Sequence, residues 1–130
     1  MDPLRFSCVV YEKDGTTILE TVEEVDLSPW GISTTIPLGF QSDGMSVPRF
    51  FWRFIGPPVN GATMAPSVAH DWLYTCQCVP RKAADDWYRK MLLLSGYPSW
   101  KARLAWIGIR AFGGLHWGKD EPGVNYTDEE

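Results

Sequence analysis

Pro80 constrains the folding of this chain more than any other residue, because it stands between two helical patterns and can lie in the interior of neither. Upstream, a helix can run from Pro66, at a first-turn position, through Val68, Ala69, Trp72 and Leu73. Downstream, Ala84, Trp87, Tyr88, Met91, Leu92 and Ser95 share one broad stripe between Arg81 and Ser95, with Gly96 placed to cap the end. A connection as short as Thr75 to Pro80 turns two such helices antiparallel and packs them side by side. The chain restarts at Pro98-Ser99, and Trp100, Leu104, Ile107 and Ala111 then recur at helical spacing, which predicts the buried stripe of a third helix ending at Gly113-Gly114.

The N-terminal third has a different period. Arg5 to Glu12 is rich in β-branched and aromatic residues, and Lys13-Asp14-Gly15 supplies a hairpin turn. In the segment from Thr16 to Val25, Ile18, Glu20 and Val22 alternate with Leu19, Thr21 and Glu23, as in a strand with one packed and one wet face. Trp30 to Pro37 reads as a third strand, Leu38 to Pro48 as a structured turn, and Arg49 to Ile55 as a short aromatic helical turn. The predicted fold is α+β: a small N-terminal antiparallel β-sheet followed by a three-helix C-terminal part containing an antiparallel helix hairpin. With 130 residues, one domain over 1–118 is expected, followed by an acidic, flexible tail over 119–130.

The formal net charge of -4 argues against a general nucleic-acid binder, although the cations gather between Arg49 and Arg110 while the ends are acidic. No apolar run approaches the ~20 residues of a membrane span, and Met1-Asp2-Pro3 does not open a Sec-type signal peptide. Cys76 and Cys78 are too close for an ordinary disulfide framework, which suits synthesis in a reducing cytoplasm. With His70 they also fall short of the four ligands of a structural zinc site.

The chemistry converges on His70-Asp71-Trp72-Leu73-Tyr74 and on Asp85. The point half-way between His70 and Asp85 falls inside the helix connection, so the two side chains reach the same height if both face inward. A carboxylate on one ring nitrogen fixes the imidazole tautomer and raises its basicity, so the other nitrogen can take a proton from water. Tyr74, one turn on from His70, can donate to Asp85, and Asp71 points about 100° round the helix, where it can meet a cation. The same residues can instead form a buried His-Asp-Tyr network that only locks two helices together.

His70-Asp71-x-x-Tyr74 followed by Ala84-Asp85-x-x-Tyr88 resembles the active-site helix pair of the secreted His-Asp phospholipases, including the short forms in parvovirus capsid proteins. That resemblance implies His70 as the water-activating base, Asp85 as its orienting carboxylate, Asp71 as a Ca²⁺ ligand and Tyr74 as a partner of Asp85. A wider set of motifs covers residues 36 to 113: Ile36 to Pro48, Phe51-Trp52, His70 to Tyr74, Arg81-x-x-Ala84-Asp85 and Arg110-x-Phe112-Gly113. Together they resemble the domain-of-unknown-function family 1353 of phages and prophages. Within that match Arg81 is a supporting candidate. Asp43 either caps its own turn or, with Ser46, delivers a carboxylate and a hydroxyl beside His70.

Two functions lead, and a third stands behind them. One is a phage-encoded, metal-assisted hydrolase using the His70-Asp85 dyad and Ca²⁺ on a lipid or cell-envelope ester. The other is a noncatalytic virion or tail-associated part, or a host-directed binding protein, for which seven tryptophans supply contact residues. A third is an acidic inhibitor that mimics nucleic-acid phosphate. The phage resemblance implies partners among other phage proteins or host factors, with synthesis in the host cytoplasm and assembly into the virion.

Overall fold

The computed structural model describes residues 2–42, 64–112 and 114. Strands β1 (Cys8–Lys13) and β2 (Thr16–Thr21) form a hairpin in which Lys13 faces Thr16. Both turn residues, Asp14 and Gly15, have positive φ (54° and 79°), which matches the right-handed twist of the flanking strands. Strand β5 (Gln41–Ser42) pairs antiparallel with the other edge of β2, giving the order β1-β2-β5. The predicted alternation holds along β2: Leu19 and Thr21 are buried, whereas Val22, just beyond the strand, is exposed.

Thr21 ties β2 to the chain that returns beside it. Its hydroxyl donates to the Pro37 carbonyl at 2.7 Å and accepts the Phe40 N–H at 2.9 Å, and its backbone bonds Phe40 O and Gly39 N. These bonds satisfy polar groups that would otherwise be buried without partners.

The expected strand from Trp30 to Pro37 is largely absent. Only β4 (Thr35–Ile36) is extended and paired, with β3 (Val25–Asp26), while Ser28–Trp30 forms a single 3-10 turn. The Asp26 carboxylate accepts from both the Ser28 N–H and the Ser28 hydroxyl, which starts the turn. Gly31 closes it at φ 96°, a conformation a side-chain-bearing residue rarely adopts. Local capping therefore overrode the β-propensity of Ile32 to Thr34.

Three helices follow among the described residues: α1 (Met64–Cys76), α2 (Arg81–Leu94) and α3 (Ser99–Phe112). Pro66 lies in the first turn of α1, and Pro80 immediately precedes α2. Helix α2 ends with the Gly96 N–H on Leu93 O and the Tyr97 N–H on Leu92 O, the double bond pattern expected of a glycine-terminated helix. The main core joins Leu19, Leu27, Ile36 and Phe40 of the β region to Val68, Ala69 and Leu73 of α1 and to Ala84 and Met91 of α2. A second cluster, Tyr88 and Leu92 against Ala102, Ala105 and Ile109, seals α2 to α3.

Two further expectations do not hold. The predicted stripe of α3 does not form its buried face: Trp100, Ile107 and Ala111 are exposed and Leu104 is half-buried, whereas Ala102, Ala105, Gly108 and Ile109 are buried. Small side chains let α3 lie close against the bulky Tyr88 and Leu92 of α2, so size complementarity, not summed hydrophobicity, selected the face. Second, Cys76 and Cys78 are joined as a disulfide. Gln77 between them has a φ of 53°, and this left-handed residue folds the end of α1 back so that the two cysteines meet. Neither thiol is left to join His70 on a zinc ion, because both are used up in the bond.

The Leu38 to Pro48 turn lies outside the described residues from Asp43 onward, as do the aromatic segment 49–55, His116 and the acidic tail.

Candidate functional site

The site is built from inward-facing positions on all three helices. His70 and Tyr74 are one turn apart on α1 and so share a face. Asp85 lies early in α2, and Arg110 lies in the last turn of α3. The Asp85 carboxylate is 0% exposed and accepts three short hydrogen bonds: from His70 Nε2 at 2.7 Å and Tyr74 Oη at 2.7 Å on Oδ1, and from Arg110 Nη1 at 2.7 Å on Oδ2. One buried anion thus gathers a donor from α1 twice and from α3 once.

Arg81 supports this centre from its own helix. Its Nε donates to Tyr74 Oη at 3.2 Å and lies 4.0 Å from Asp85 Oδ2. Its Nη2 donates to the carbonyls of Ile109 and Arg110 at 3.0 and 2.9 Å, satisfying groups that the end of α3 leaves without helical partners. The His70 ring packs between Tyr74 and Tyr88, with centroids 4.5 and 4.7 Å away, and the Tyr88 hydroxyl shares a 3.1 Å hydrogen bond with Ser67.

Burial and charge set the protonation states. Burial lowers the pKa of His70 below the usual imidazole value, and the opposing pull of Asp85 does not reverse this. Burial alone would raise Asp85, but the hydrogen bonds from His70, Tyr74 and Arg110 outweigh it and hold the carboxylate below its ordinary range. Burial, reinforced by the Asp85 carboxylate, raises Tyr74, and burial pushes Tyr88 up to about 12. At neutral pH the site therefore contains an ionised Asp85, a neutral His70 and two neutral tyrosines. The charge on Asp85 assigns the imidazole proton to Nε2, which places the basic lone pair on Nδ1.

His70, Asp85, Tyr74 and Arg81 are brought together as the sequence indicated. Asp71 is half-buried beside them on α1, but among the described residues no group of three or more His, Cys, Asp or Glu side chains could hold a metal ion. Asp43 and Ser46 lie outside the described residues. Arg110, Tyr88 and Ser67 join the site in addition to the residues expected from the sequence. A signal for Arg110 was present: the point half-way between it and Asp85 falls at Tyr97-Pro98, inside the α2–α3 connection, the same relation that pairs His70 with Asp85.

The profile of the family described as "Protein of unknown function (DUF1353)" matches residues 22–109, a span that contains this site apart from Arg110. The chain belongs to the DUF1353 family. A relative, "Uncharacterized protein y4jT" of Sinorhizobium fredii (strain NBRC 101917 / NGR234), is 36% identical over 88 residues, covering 65% of this chain and 25% of that protein. The DUF1353 chain described here therefore aligns with about a quarter of that relative's length. No solved structure matches it.

Proposed function

We propose that this chain is a hydrolase, of phage origin, in which His70 is the general base and Asp85 its positioning residue, acting on a lipid or cell-envelope ester. The observation that carries this reading is the 2.7 Å bond from His70 Nε2 to a buried, ionised Asp85 whose other oxygen is held by Arg110. In such a pair Nδ1 removes a proton from water, the water oxygen attacks the ester carbonyl carbon, and the alkoxide leaves with that proton as the ester bond breaks. Tyr74 and Arg81 keep Asp85 from rotating away from the imidazole. Asp71 is the proposed ligand for a hard cation such as Ca²⁺. It has no companion metal-binding cluster among the described residues, and no step of the reaction above passes through a metal.

The test is release of fatty acid from a phospholipid ester by wild type and His70→Gln, with Ca²⁺ and with chelator. A folded variant slower by about a hundredfold or more supports the base role. Equal rates remove His70 from the mechanism.

A second reading has its own observation, since the imidazole is only 2% exposed. In that reading the network is a polar lock among three helices, and the chain is a noncatalytic virion or tail-associated part or a host-directed binding protein. Absence of hydrolysis in both proteins, together with a lower unfolding midpoint for His70→Gln, favours it.

A further inference from the structure

The apolar strip that α3 leaves outside the core is bordered by cations. Trp100 is 57% exposed and Ile107 40%, and exposed Ala111 extends the same strip along the helix, while half-buried Leu104 leans back onto the cluster between α2 and α3. The opposite face, Ala102, Ala105, Gly108 and Ile109, is buried against α2, so the strip points away from the domain. From Ser99 to Phe112 the helix carries Lys101, Arg103 and Arg110 and no acidic residue, although the chain as a whole has a net charge of -4. Arg110 is engaged by Asp85, whereas Arg103 is exposed and the Lys101 ammonium lies 5.5 Å from the centroid of the Trp100 ring.

We infer that this face of α3 docks on an anionic phospholipid bilayer. An indole beside aliphatic side chains, on a helix whose own charges are all positive, matches a surface that is apolar beneath and negatively charged at the headgroups; the nearby Asp86 carboxylate of α2 is taken up by Lys82 and by the Trp106 N–H. Duplex nucleic acid suits it less, because binding there requires many phosphate contacts and α3 offers only two cations besides Arg110. The aliphatic residues of the strip have a place in acyl chains and none on a phosphate backbone. The inference is independent of the role given to His70, since it rests on residues of the opposite face of α3 from the one packed on α2.

The experiment is flotation of the full chain at low ionic strength with vesicles of phosphatidylcholine and phosphatidylglycerol at about 3:1, and with phosphatidylcholine alone. Wild type is expected to float with the anionic vesicles only. Arg103→Ala should weaken binding roughly fivefold, the equivalent of about 1 kcal/mol per cation near a charged membrane. Trp100→Ser with Ile107→Ser should abolish flotation while leaving the thermal melt unchanged, because both positions are exposed. If that double variant does not fold, the Arg103→Ala comparison decides the matter. The proposal is overturned if wild type stays unbound, floats equally with neutral vesicles, floats no better than Arg103→Ala, or binds duplex DNA in preference to vesicles. His70→Gln should float like wild type, so loss of hydrolysis and loss of docking are separately readable.

Discussion

Replacing Asp85 by Asn keeps the shape of the side chain and removes what the site depends on. The carboxylate accepts from three donors at 2.7 Å, from His70, Tyr74 and Arg110. An amide offers one oxygen. If that oxygen serves His70 and Tyr74, the amide NH₂ confronts the Arg110 guanidinium, donor against donor; if it is flipped, two donors on α1 are stranded in the core. Stranding a buried polar group costs about 1–3 kcal/mol, and removing one partner of a buried ion pair about 3–5 kcal/mol. Arg110 is 30% exposed and can turn partly to water, which puts the expected loss near the low end, about 3 kcal/mol. In urea unfolding this is a midpoint lower by roughly 2 M at unchanged slope for a domain of this size. A midpoint within about 0.5 M of wild type would refute the claim that Asp85 is the buried hub of the three helices.

The protonation states give a pH signature. His70 has a folded pKa below its unfolded value, so the unfolded chain binds the extra proton first; stability is full above about pH 6.5 and falls as pH drops below it, toward the lowered folded value. Asp85 is also lowered when folded, so its contribution is present above about pH 4 and is lost in stronger acid. Denaturant unfolding between pH 7.5 and pH 5 should show the first slope in wild type and a shallower one in His70→Gln; equal slopes would exclude His70 as its source. In the sheet, Thr21→Val should cost about 1 kcal/mol, because the Pro37 carbonyl and the Phe40 N–H both lose their short bonds to the hydroxyl and keep only the long 3.4 Å bond to each other. An unchanged thermal midpoint would show that Thr21 does not anchor the return of β5.

Much of the architecture was legible because it rests on local signals. Asp14-Gly15 sets the hairpin, Pro80 and Gly96 end helices, and the stripe of α2 names its buried face correctly apart from Asp85 and the half-buried Ser95. The pairing of His70 with Asp85 was legible for a related reason: a short connection makes sequence distance a measure of height along two antiparallel helices. The strand expected from Trp30 to Pro37 failed where the Asp26 side chain and Gly31 built a turn that propensity does not weigh.

By itself the sequence determined the α+β class, most element ends and the meeting of His70, Tyr74 and Asp85, because hairpin turns, helix stops and periodicity act over a few residues. Only tertiary structure decided which face of α3 is buried, that Arg110 completes the Asp85 hub, and that the His70 ring lies between two tyrosines. The physical reason is that these depend on how neighbouring surfaces fit. Periodicity proposes an apolar face for a helix, but close packing against Tyr88 and Leu92 chose the small one.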